Sequence, residues 1–151
     1  MDYNLLIDED DNTNEYRSRQ GVFGVIFSQD HYIALLSTGS GYTLPGGNLM
    51  DNEGKKDCLQ RIIKEETGWT VVLTNYIGKG IDYFYAKNKK NYIKRTGFFF
   101  EVLLKDKVSS NGKQFIWFPP EEVLDKLDYA HQRWAIKKVL KEKGYEIDPK
   151  R

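Results

Sequence analysis

Apolar residues in this chain come mostly in short runs, with three stretches that read as helices between them. The run at 21–28 (GVFGVIFS) is apolar and partly β-branched, which predicts a buried strand. After a turn at 29–31, residues 32–37 (YIALLS) predict its hairpin partner. A loop at 38–41 leads to a short strand at 42–44. Pro45-Gly46-Gly47 ends that strand, because Pro followed by Gly is turn chemistry. A helix is expected over about 54–67, with Leu59 and Ile63 starting its core-facing stripe and Gly68 as its stop. Residues 69–76 and 81–86 read as two strands, and 98–104 (FFFEVLL) as a strand interrupted by Glu101. A short strand at 115–118 precedes Pro119-Pro120 and a helix at 121–127, proline being suited to a first helical turn. A last helix spans about 130–143. Residues 1–19 are polar and acidic, which predicts an arm or an edge strand through Leu5-Leu6-Ile7. Hairpins and helices are mixed without a regular β-α-β alternation, so the expected class is α/β, a sheet between helices.

Composition narrows the reading without deciding it. A chain of 151 residues is expected to form a single domain over 1–151. The net charge of +1 gives no strong field towards nucleic acid or membrane, so neither is expected as a partner. One cysteine, Cys58, excludes an intrachain disulfide and fits a reducing, cytoplasmic setting. No apolar run reaches membrane-spanning length, and the N-terminal residues lack the basic and apolar parts of a signal peptide. With His31 and His131 the only histidines, no zinc-site spacing is available. A P-loop is absent too, since the glycine turn lacks its G-K-[ST] ending.

The most specific pattern lies at 47–69. It reads Gly47, five residues, Glu53, seven residues, Arg61, then Ile63, Glu65, Glu66, Gly68 and Trp69. This resembles the Nudix box, G-x5-E-x7-R-E-U-x-E-E-x-G-U, with U a bulky apolar residue. One position departs from it: the Glu expected after Arg61 is Ile62. With any one residue type used at roughly 0.07, such a set of matches arises by chance at about 10⁻⁵ over the chain. The resemblance covers about residues 20–143 and implies an α/β/α sandwich with a mixed sheet. It implies a pyrophosphohydrolase that uses Mg²⁺ or Mn²⁺ and cleaves a nucleoside diphosphate linked to another group. Glu65 and Glu66 would be metal ligands together with the carbonyl of Gly46, and Glu53 would pair with Arg61 to orient the box. Dimers are common in the family, and composition does not decide for or against a homodimer here.

Helical geometry shows what the departure removes. With Cys58 at zero on a 100° wheel, Glu65 falls near 340°, Glu66 near 80° and Ile62 at about 40°. The missing carboxylate would therefore stand between the two acids, which places Ile62 on the metal-facing side. Three readings follow: hydrolysis with a base supplied from elsewhere, weak or specialised hydrolysis, or nucleotide binding without turnover. Ile62→Glu is expected to raise turnover if the rest of the site is intact. Glu101, an acid inside an apolar strand, is the first candidate for a substitute base, with pairing to a basic residue as the alternative. Substrate contacts are expected from Arg95, Tyr83, Tyr85 and Arg19, because aromatic faces stack bases and basic groups meet phosphates. The neighbouring Lys87, Lys89, Lys90 and Lys94 are better explained as solubilising residues. His131 and Trp134 are expected to pack or cap the last helix, and Cys58 to fill space.

Overall fold

A computed structural model describes residues 6–9, 15–88 and 90–147. Strands β1 (Leu6–Glu9), β2 (Glu15–Ile26), β6 (Trp69–Ala86) and β7 (Asn91–Lys107) form the main sheet in the order β1-β2-β7-β6, and β5 (Gly46–Asn48) also pairs with β2. β2 and β7 run parallel while β1–β2, β2–β5 and β6–β7 are antiparallel, so the sheet is mixed. A second sheet holds β4 (Tyr42–Thr43), β3 (Ile33–Ser37) and β8 (Ile116–Phe118). Helix α1 (Lys55–Thr67) covers one face of the main sheet. Helices α2 (Pro120–Lys126) and α3 (Ala130–Glu142) pack on the other. This is the expected α/β/α sandwich.

Alternation along β2 and β7 builds two cores. Val22, Ile26, Phe100 and Val102 meet Cys58, Leu59, Ile62 and Ile63 of α1. Phe23, Val25 and Phe99 meet Ala135, Ile136, Val139 and Leu140 of α3. Each fully buried side chain of this size contributes about 1.5–3 kcal/mol relative to exposure. The two faces therefore fix the sheet register, since a slip of one residue would exchange them.

Three expectations change. β3 is not the hairpin partner of β2; the two meet only at the bridge Phe27–Ile33. β3 pairs instead with β4 and β8, with Ile33 and Leu35 in one core and Ala34 in the other. Its unbroken apolar run reflects burial on both sides. The two strands expected at 69–76 and 81–86 are one strand, β6, irregular at Trp69/Val71, Leu73/Asn75 and Tyr76/Gly78. Gly80, inside β6, makes room for the Trp134 ring of α3. β2 and β7 also begin earlier than their apolar runs, at Glu15 and Asn91. Of the N-terminal stretch, Leu6–Glu9 forms the edge strand paired with β2; residues 1–5 and 10–14 lie outside the described residues, as does Lys89.

Candidate functional site

Helix α1 carries Arg61, Glu65 and Glu66 of the 47–69 segment and ends at Gly68, whose N–H donates to the Lys64 carbonyl at 2.9 Å; Glu53 lies on the loop before it. Arg61 is central. Its Nε and Nη2 each donate to a Glu53 oxygen at 2.7 Å, and its Nη1 donates to Glu65 Oε2 at 3.0 Å. This two-pronged bond holds the Glu53 carboxyl below its usual pKa and raises that of the guanidinium. The loop before α1 is thereby tied to the middle of the helix.

Glu66 points the other way. It lines a cavity of about 340 Å³ with Phe23, Thr38, Gly46, Lys113 and Tyr129. Burial raises its pKa, nearby Lys113 opposes that, and Glu65 adds to it. Gly46 can reach this cavity because it has no Cβ: its φ is +146°, and a Cβ there would collide with the Val22 carbonyl and with Phe23.

The two acids thus diverge. Glu66 stands in the cleft beside Gly46, while the Glu65 side chain is 62% exposed and engaged by Arg61. Among the described residues, no group of three His, Cys, Asp or Glu lies close enough to hold a metal ion by itself. Mg²⁺ commonly takes one or two carboxylates and completes its shell with water and substrate phosphate. One half-buried carboxylate and a backbone turn facing the same cavity fit that mode. Ile62 is 8% exposed and packs in the core under α1, so the structure corrects its expected place on the metal-facing side.

Glu101 does not line the cleft. It lies 3.5 Å from Lys143 Nζ at the end of α3, which is the alternative role considered for it. Arg95 is close to the cleft but behind its wall: the guanidinium carbon is 4.7 Å from the Tyr129 ring centre and 4.5 Å from that of Phe84. Arg19 lies opposite Arg95 in register and 5.3 Å from Phe84. Tyr83 and Tyr85 are exposed on the other face of β6, where Tyr85 meets Tyr92. The aromatic beside the arginines is Phe84. Alternation along β6 could have separated Phe84 from its neighbours, but nothing in the sequence singled out Tyr129 or Lys113.

Asp82 holds Arg95 in place. Its Oδ1 accepts from Arg95 Nε at 2.5 Å, and its Oδ2 accepts from the His131 backbone N–H at 2.9 Å. Burial alone would raise its pKa, but the bonds from His131 and Arg95 outweigh that and hold it far below the usual range. Asp82→Ala leaves a largely buried guanidinium without its partner and is expected to cost about 3 kcal/mol in urea denaturation. The sign with pH follows from the depressed pKa. The contribution is complete above the ordinary carboxylate value of about 3.9 and is lost as pH falls towards the lower folded value. The difference between wild type and Asp82→Ala should therefore shrink below about pH 4.

A family model described as NUDIX domain matches residues 17–139. Solved structures share the fold. A MutT protein from Methanosarcina mazei Go1 is 22% identical with TM-score 0.61, over 85% of this chain and 96% of that one. An Ap4A hydrolase from C. elegans is 18% identical with TM-score 0.59, over 83% and 98%. An ADP-ribose pyrophosphatase from Streptococcus suis is 21% identical with TM-score 0.54, over 85% and 93%. No curated protein matches the chain. Among the described residues, no helix is long and apolar enough to cross a membrane.

Proposed function

The chain belongs to the Nudix family, and from that premise we propose that it is a cytosolic pyrophosphohydrolase acting on a nucleoside diphosphate linked to another moiety. The observation that carries this reading is the meeting of Glu66 and Gly46 in one nucleotide-sized cavity. Relatives in fold include proteins described as acting on Ap4A and on ADP-ribose, which supports the substrate class but selects no member of it. Glu66 and Gly46 would hold a Mg²⁺ or Mn²⁺ ion, with Glu65 joining them on release from Arg61. Such an ion, when bound, polarises a phosphoryl oxygen and activates water. Arg61 fixes the loop carrying Glu53 against the helix, which keeps the cleft's shape. Tyr129, backed by Arg95, offers an aromatic wall for a base, and Phe23 forms an apolar floor.

The second reading is a domain that binds such a nucleotide without cleaving it. Two observations favour it: Ile62 supplies no carboxylate, and Glu65 is engaged by Arg61. A phosphate-release screen separates the two. It would cover nucleoside triphosphates, ADP-ribose, nucleotide sugars and dinucleoside polyphosphates, with Mg²⁺, with Mn²⁺ and with EDTA. Turnover that vanishes in EDTA is expected. Ligand-induced thermal stabilisation with no turnover in any arm would replace the first reading by the second.

A further inference from the structure

We propose that Lys113 is a phosphate-binding residue of the cleft, one that holds the diphosphate of a nucleotide ligand even without a metal ion. The inference rests on the cavity being the nucleotide site. Lys113 and Glu66 line that cavity together. Lys113 sits in the segment between β7 and β8, and its position is set by the backbone rather than by its own side chain. Its N–H donates to the Glu66 carbonyl at 2.7 Å, and upstream the Val108 N–H donates to the Gly68 carbonyl at 2.8 Å. Residues 108–113 are thus strapped across the C-terminal end of α1. Gly112 makes the strap possible: its φ is +122°, and a Cβ would meet the Glu66 carbonyl.

A lysine at a helix C-terminus has an ordinary use, since it complements the helix dipole. That use requires neither a strap nor a glycine of this geometry, and it does not direct the ammonium into a cavity. The charges explain more. Glu66 and Lys113 are the oppositely charged side chains lining the cavity, so the lining itself is close to neutral. Position 62 packs in the core and adds no charge to this lining. A diphosphate entering the cleft therefore meets little net repulsion and finds a cation whose backbone is anchored to α1. An ammonium is a flexible point charge with three donors, suited to phosphate oxygens in more than one pose.

The test uses ADP as probe and the full chain in EDTA, by calorimetry and thermal shift, with wild type, Lys113→Gln and Lys113→Arg. Lys113 is exposed at the surface of the fold, so neither substitution should move the melting temperature without ligand. Lys113→Gln is expected to weaken ADP binding about tenfold, the effect of one charge-assisted hydrogen bond, while Lys113→Arg keeps most of it. For any substrate the wild type cleaves with Mg²⁺, KM should rise by a similar factor in Lys113→Gln with kcat little changed. Equal ADP affinity in wild type and Lys113→Gln overturns the proposal, as does absence of ADP binding to the wild type in EDTA. Failure of the hydrolase reading looks different: no phosphate release in any arm, with ADP still bound in a Lys113-dependent way.

Discussion

Glu66→Gln is expected to lower metal-dependent phosphate release by about 10²–10⁴-fold, because on the proposed reading the substitution removes several kcal/mol of charge stabilisation at the reacting phosphate. Gln keeps the size and shape of the side chain and gives up its charge. Burial already disfavours the charged form of Glu66, so the substitution should leave the melting temperature unchanged or slightly higher in the absence of metal. Loss of activity with an intact melt is the signature of a site residue. Glu65→Gln sharpens the comparison. The Glu65 carboxylate is largely exposed and bonded to Arg61. If it stays there during turnover, its removal costs activity modestly, through a looser Arg61. If it swings to the ion, the two substitutions cost alike. Turnover in Glu66→Gln equal to wild type would remove the metal assignment altogether.

Much of this site could be read from the chain, and the unreadable part has a physical pattern. Spacing along one loop and the helix that follows it is local information, so Glu53, Arg61, Glu65, Glu66 and the helix stop at Gly68 can be picked out from the chain alone. The Arg61–Glu53 pairing implied by the family resemblance is present in the structure. What was illegible depends on contacts between distant segments. Lys113 comes to Glu66 only because the 108–113 strap bonds back onto α1. Tyr129 joins the cleft only because α3 lies across the face carrying Phe23. Glu101 looked like a stranded acid because its partner, Lys143, is far along the chain. The strand errors share one cause: apolar runs report burial, not pairing. β3 is apolar on both sides because two cores use it, and the polar starts of β2 and β7 are strands all the same because they pair with each other and with β1 and β6.

Ile62→Glu is where the helical wheel and the packing disagree most sharply. The wheel puts the side chain between Glu65 and Glu66, which would make the substitution a gain in function. The structure puts it among Val22, Cys58, Leu59 and Phe100, where it loses the burial of an isoleucine and forces a carboxyl into an apolar environment. The first loss is about 1.5–3 kcal/mol and the second about 1–3 kcal/mol, so the variant is expected to be less stable by about 4 kcal/mol in urea denaturation. The glutamate avoids that cost only if its carboxylate reaches along α1 into the cleft that Glu66 lines. There the two carboxylates would repel each other, and a cation would relieve the repulsion. Added Mg²⁺ should then raise the melting temperature of Ile62→Glu by more than that of wild type, since an ion that binds the folded form alone stabilises it by mass action. A variant as stable as wild type without any cation would show that position 62 opens on the cleft rather than on the core. The gain in turnover expected from the sequence would then be the result to look for.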